Sequence, residues 1–300
     1  MSFGFSAFAQ ISVRETDENI SLYNGEKVIL SYQKAVYPAP AGRSELYQRS
    51  GFVHPLNSPA GATLTRIQPP DHYHHYGIWN PWTRVLVEAD TVDFWNIADG
   101  QGTVRYQNTK KIKKNSFTVL QEHVVLLHDS EKVVLNEEIT ISAKKDDGKY
   151  VIDHNSVYRV QGEIPFHILA YRYQGFGFRA RKSWNEENIR MLTSEGLDLD
   201  SANFSRGNWI LVEGPVGNNQ SAGILFMGHK QNYNAPQLFR VWPRGSNEGQ
   251  ENIFINFNPA QDVDWVMEPG VKYQLNYRIV VYDGRIEQKV AEDLWMEYAK

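Results

Sequence analysis

Between residues 103 and 161 the chain alternates apolar and polar side chains through four successive long segments, a pattern that an antiparallel sheet absorbs and a helix does not. The clearest is 132–144, where Val133, Leu135, Ile139, Ile141 and Ala143 share one parity and Asn136, Glu138, Thr140 and Ser142 the other. Segment 103–114 is polar and reads as an edge strand, and 117–128 is apolar on both parities in its second half. Lys145-Asp146-Asp147-Gly148 is a tight turn, after which 150–161 returns. Four such segments in sequence predict an antiparallel meander in a broad sheet. His154 shares its parity with Ile152, Tyr158 and Val160, so it is expected on the apolar face, as a core histidine or as an imidazole reaching a cleft.

The rest of the chain reads the same way. Residues 20–23 and 28–30 flank Asn24-Gly25, a hairpin signal of type I′. Residues 38–61 have long-loop composition. Strands are expected at 208–212 and 221–229 around a turn at 214–219, then at 238–242, 252–257 and 271–283. Ile286, Val290, Leu294 and Tyr298 recur at helical spacing, so the chain should close on an amphipathic α-helix. The expectation is an all-β fold with a C-terminal α-helix, one domain over residues 10–300.

A net charge of -4 argues against nucleic acid as a partner, and without cysteine there is no thiol or disulfide chemistry. Residues 1–9 are apolar and small, and Ala7-Phe8-Ala9 resembles a signal-peptidase site. A signal-peptide remnant and a periplasmic or secreted protein are therefore expected, with no membrane span.

Chemistry concentrates in residues 68–82, where Asp71, His72, His74, His75, Trp79 and Trp82 follow the pair Pro69-Pro70. Imidazoles suit proton transfer or metal ligation, and indoles suit the flat face of a sugar. The alternative is a loop whose histidines bond to backbone. On an extended segment His72 and His74 would share a face and could hold a divalent metal, with His75 turned away. Without a metal, imidazoles and a carboxylate (Asp71, Glu88, Asp93 or Asp264) could move protons around a sugar ring. Trp79, Trp82, Trp95 and Trp184 are candidate platforms. A second dense stretch, 166–180, places Arg172 and Arg179 among aromatics and glycines, with Arg181 just beyond. Such arginines serve as anion or hydroxyl clamps, or as cation–π packing. Phosphate-loop, dinucleotide and Gly-x-Ser-x-Gly motifs are absent from the sequence.

Asp71-His72-x-His74-His75-x-Gly77-Ile78-Trp79 resembles the Asp-His-x-His-His-Arg-Gly signature of a bacterial family that carries the name "methane oxygenase PmoA". Gly175-x-Gly177-x-Arg179, His229-x-x-Asn232-x-Asn234-x-Pro236 leading to Trp242, 256–259 and 277–284 resemble its later segments, so the likeness spans about residues 50–285. Tyr76 stands where that family has Arg, and Lys230 where it has Pro. The family's members resemble galactose-mutarotase-like proteins, which implies a large antiparallel β-supersandwich and a sugar-directed role. By that analogy His75, His154 or His229 would transfer protons.

The resulting expectation is a carbohydrate-active protein doing acid–base chemistry (epimerisation, elimination or hydrolysis) on a sugar or oxidised glycoside. His74, His75, His229 and Asp71 would be catalytic. His54, Arg172, Arg179, Trp79, Trp82, His154 and Asn232 would bind substrate. The alternatives are a non-catalytic glycan-binding module and a metal-dependent oxygenase.

Overall fold

The computed structural model describes residues 10–246 and 253–300. The expected signal remnant at residues 1–9, and Asn252 at the head of an expected strand, lie outside the described residues. In chain order the strands are β1 (Ile11–Glu15), β2 (Asn19–Asn24), β3 (Lys27–Gln33), β4 (Phe52–Leu56), β5 (Ile78–Trp79), β6 (Val85–Val87), β7 (Asp90–Val92), β8 (Gly102–Lys113), β9 (Ser116–Leu126) and β10 (Glu131–Asp146). They continue as β11 (Lys149–Val160), β12 (Phe166–Ile168), β13 (Phe176–Arg179), β14 (Arg190–Thr193), β15 (Trp209–Gly217), β16 (Gln220–Gly228), β17 (Leu238–Val241), β18 (Phe254–Asn258), β19 (Trp265–Met267) and β20 (Tyr273–Asp283). Helix α1 (Gln288–Tyr298) follows.

The fold is all-β with antiparallel sheets, as the alternation predicts. One eight-stranded sheet runs β1-β2-β3-β4-β5-β13-β18-β17, a second runs β14-β15-β16-β20-β11-β10-β9-β8, and a four-stranded sheet runs β19-β12-β6-β7. The meander is β8 to β11, with polar β8 at the edge as expected. Asp147 and Gly148 both take positive φ, the requirement of its last tight turn.

One face of each large sheet builds the central core. Ile20, Leu22, Val53, Ile78 and Ile255 of the first sheet join Val119, Ile139, Ile152 and Ile279 of the second. Phe176 stacks on Tyr277 with centroids 4.4 Å apart, and Phe178 meets Phe226 at 4.8 Å. Alternation sends the neighbours of these residues to the outer faces. On the second sheet Trp209, Leu225, Met227 and Val280 are covered by α1. On the first sheet Phe52, Trp79 and Phe254 join Tyr76, Trp95 and Trp242 in a separate aromatic layer.

Three local expectations shift. The first hairpin pairs Asn24 with Lys27, so its two-residue turn is Gly25–Glu26, and positive φ is needed at Gly25 alone. β15 continues through the expected 214–219 turn to Gly217, and Asn218 and Asn219 make the turn instead. In α1 the inward face is Ala291, Leu294, Trp295 and Tyr298, while Val290 is exposed, because a strict four-residue spacing drifts around a 3.6-residue helix.

The interior also holds a polar cluster on the meander's apolar face. Glu137 is fully buried and shares the parity of Leu135 and Ile139. Its carboxylate lies 3.1 Å from His123 Nε2 and accepts from Asn80 Nδ2 at 3.0 Å and Ser156 Oγ at 2.6 Å. Asn80 also bonds the Tyr158 hydroxyl.

Candidate functional site

The histidine-rich stretch is a folded turn, not an extended strand. His72 N donates to Pro69 O, His75 N to His72 O, and Gln68 N to His75 O. An isolated bridge between Ile67 and Tyr76 closes the stub. Gly77, at φ 58°, passes so close to β4 that a Cβ there would lie 2.3 Å from Val53 O. That contact pins the turn against the outer face of the first sheet.

Folding the turn corrects the expected alternation of its histidines. All three rings converge, with centroids 4.8 Å apart for His72–His75 and His74–His75 and 5.4 Å for His72–His74. His75 is the buried member, stacked against Phe254 and Trp242 and tilted over Trp79. His72 and His74 are only partly covered and line a cavity of about 260 Å³. Trp95, Asn96 and Trp242 line it too, as does the run Tyr171-Arg172-Tyr173 after β12.

Arg179, at the end of β13, organises the charges. Its Nη2 donates to Asp71 Oδ2 at 2.6 Å, and its Nη1 lies 3.3 Å from His75 Nδ1. An arginine only donates, so His75 Nδ1 accepts and its proton sits on Nε2. Asp71 Oδ2 also lies 2.9 Å from His72 Nδ1. Burial alone would raise the Asp71 carboxyl, but the His72 hydrogen bond and the Arg179 charge outweigh it and hold Asp71 well below the usual carboxylate range. An ionised Asp71 therefore accepts a hydrogen bond from His72 Nδ1, which fixes a proton on that nitrogen. Burial, with nearby positive charge, pushes His74 down to about 3 and His75 well below its ordinary value, so both are neutral at pH 7.

Other predicted residues fall elsewhere. His229 does not converge on the site: its ring packs on Tyr298 of α1, across the second sheet. Asn232 clamps β20, donating to Asn276 O and accepting from Asn276 N. His154 faces the core beside Phe176, and burial lowers it to about 4. Trp82 and Trp184 are core residues with no exposure: Trp82 packs on Tyr158 and Trp265, and Trp184 Nε1 donates to Pro215 O. Trp79 lies beneath His75, so its face is already covered. His54 lines a different groove, bonded to Thr65 Oγ1 through Nδ1. Of the other candidate carboxylates, Asp93 caps Trp95 N and Asn96 N, Glu88 pairs with Lys132, and Asp264 pairs with His167. Asp93 thus shapes the cavity wall without facing the histidines.

Sequence reasoning passed over Trp242, Tyr173 and Asn96. Trp242 Nε1 donates to the Tyr173 hydroxyl at 3.0 Å, and the Arg179 guanidinium lies 5.2 Å from its indole. The signals were the place of Tyr173 inside the dense stretch 166–180 and that of Trp242 at the end of a run singled out by resemblance.

Among the described residues no group of three or more His, Cys, Asp or Glu side chains is placed to hold a metal ion. Asp71 is engaged by a guanidinium, whose charge beside His75 opposes a second cation.

Among the described residues no helix is long and apolar enough to cross a membrane. No curated protein matches the sequence. Among solved structures it is similar to a galactose mutarotase-like protein from Lactobacillus casei ATCC 334, at 10% identity over 91% of this chain and 100% of that one, with a TM-score of 0.46. A galactose mutarotase-like protein from Clostridium acetobutylicum gives 10% identity over 91% and 95% of the two chains and a TM-score of 0.37. A GH36 alpha-galactosidase from Geobacillus stearothermophilus gives 10% identity over 95% of this chain but 41% of its own, with a TM-score of 0.35. A family profile matches residues 19–296, and the chain therefore belongs to the Family of unknown function DUF6807.

Proposed function

We propose that the cavity beside the histidine turn binds one polar ring, a sugar or oxidised sugar, and moves a proton on it. The observation that carries this reading is the Asp71 bridge: one carboxylate oxygen holds both a cavity-lining imidazole, His72, and a buried guanidinium, Arg179. A carboxylate that fixes an imidazole's tautomer is the usual way to prepare a general base. At about 260 Å³ the cavity falls just under the roughly 300–1,000 Å³ of sites for drug-sized ligands, which suits a single ring. Its polar lining, with Asn96, Arg172 and His74, offers hydroxyl and carboxylate partners, and Trp95, Trp242 and Tyr173 supply aromatic wall.

His72 takes the role of proton carrier, with Asp71 as its orienting partner. His74 hydrogen-bonds as a neutral imidazole. His75, almost wholly buried at the floor of the same cavity, positions the others. Epimerisation, elimination and hydrolysis all begin with such a proton transfer. An oxygenase reading gains nothing from the donor set described above.

The test is a screen of neutral and oxidised monosaccharides and glycosides for binding and turnover, repeated with His72→Gln. Retained binding with turnover reduced at least about 100-fold is the expected result. Saturable binding with no turnover by the wild type would favour a non-catalytic glycan-binding module. Equal turnover by wild type and variant would exclude His72 as the proton carrier.

A further inference from the structure

A second recess lies on the same side of the first sheet. It is a groove of about 600 Å³ lined by His54, Thr63, Thr65, Arg66, Ile67, Arg181, Lys182 and Ser183. Three of these are basic and none of the described lining residues is a carboxylate, in a chain whose net charge is -4.

Arg181 is held ready. Its Nε donates to Ser183 Oγ at 2.8 Å, which fixes the guanidinium plane, and its Nη1 is buried with no hydrogen-bond partner. With Nε taken by Ser183, the rest of the partly buried guanidinium keeps donor capacity for an oxyanion. Lys182 is exposed at the rim. His54 is neutral at pH 7, since burial lowers it to about 4, so it adds a polar edge and no charge.

The groove and the histidine site are carried by segments that hydrogen-bond to one another. Thr65 bridges Ala180, and Arg66 N donates to Arg179 O. Arg179 and Arg181 are two residues apart on one extended run, so they project to the same side about 7 Å apart. Arg179 serves the histidine turn and Arg181 serves the groove.

We propose that this groove is an oxyanion subsite, taking the carboxylate of an acidic sugar whose neighbouring ring occupies the histidine cavity. This rests on the sugar reading for the identity of the ligand's scaffold, but not for the anion itself. Arginine's planar fork accepts a carboxylate through paired hydrogen bonds, and Lys182 adds charge.

The test measures binding by calorimetry of a uronate-containing disaccharide, its neutral counterpart, and inorganic sulfate and phosphate. Wild type, Arg181→Gln, Arg181→Lys and His72→Gln are compared, with thermal melts to confirm folding. The expected result is wild-type preference for the acidic disaccharide by tenfold or more, lost in Arg181→Gln and partly kept in Arg181→Lys. Simple oxyanions binding in an Arg181-dependent way, with neither disaccharide bound, would keep the oxyanion site and remove the sugar reading. Equal affinity for acidic and neutral disaccharides, or an Arg181→Gln protein that binds every anion like wild type, would overturn the proposal.

Discussion

Asp71 decides the behaviour of the site at the scale of single residues. Its carboxylate faces a guanidinium with no exposed surface, so removing its charge takes a short ion-pair partner from a buried cation. Asp71→Asn should therefore destabilise the protein in urea unfolding by more than the roughly 1 kcal/mol of a surface ion pair. The pH dependence follows from the same pair. Asp71 is depressed in the folded protein, so its contribution is complete above the unfolded carboxylate's value near 4 and is lost as pH falls through the folded one. The stability difference between wild type and Asp71→Asn should be constant above about pH 5 and shrink in acid. A difference that grows toward low pH would show that Asp71 is not held ionised. Tyr76, where an arginine was expected from resemblance, is fully buried and bonds Tyr47 O, so it anchors the turn from below.

At the scale of elements, the meander's strands carry a polar cluster through an apolar face. β9, β10 and β11 contribute His123, Glu137 and Ser156, and Asn80 comes from the residue after β5. The cluster therefore ties the second sheet to the strand whose Trp79 underlies His75. Burial alone would raise Glu137, but His123, Ser156 and Asn80 hold it low, so this carboxylate stays ionised inside the sandwich. Glu137→Leu alone strands its donors and should cost about 3–5 kcal/mol, whereas Glu137→Leu with His123→Leu should cost clearly less than the sum of the two single changes. Strict additivity in that double-mutant cycle would mean the two side chains do not act as a unit. The sequence reading passed over Glu137, although it falls on the parity of Leu135 and Ile139, and alternation cannot show which partners await it.

For the whole molecule, the two large sheets share one core, and each outer face needs its own cover. The histidine turn and its aromatic layer cover the first sheet, and α1 covers the second. Glu213 reinforces the latter, accepting from Arg190, the Tyr282 hydroxyl and Ile286 N. Ending the chain at Gly284 would expose Trp209, Leu225, Met227 and Val280. Such a truncated protein should melt well below the full chain and bind an apolar dye, and an unchanged melting temperature would show that α1 is dispensable. The long strands and the meander were written in the sequence, because side-chain alternation and turn residues are local properties of a few neighbouring positions. The site's membership was not. Asp71 and Arg179 are 108 residues apart, and Trp242 and Tyr173 are 69 apart, separations with no local signature. His229 looked equivalent to His75 in sequence, yet the pairing of β16 with β20 carries it to the helix side. Only the stacking of two sheets determines which face each strand end presents, and that fixes which imidazole meets a carboxylate, a guanidinium and an open cavity.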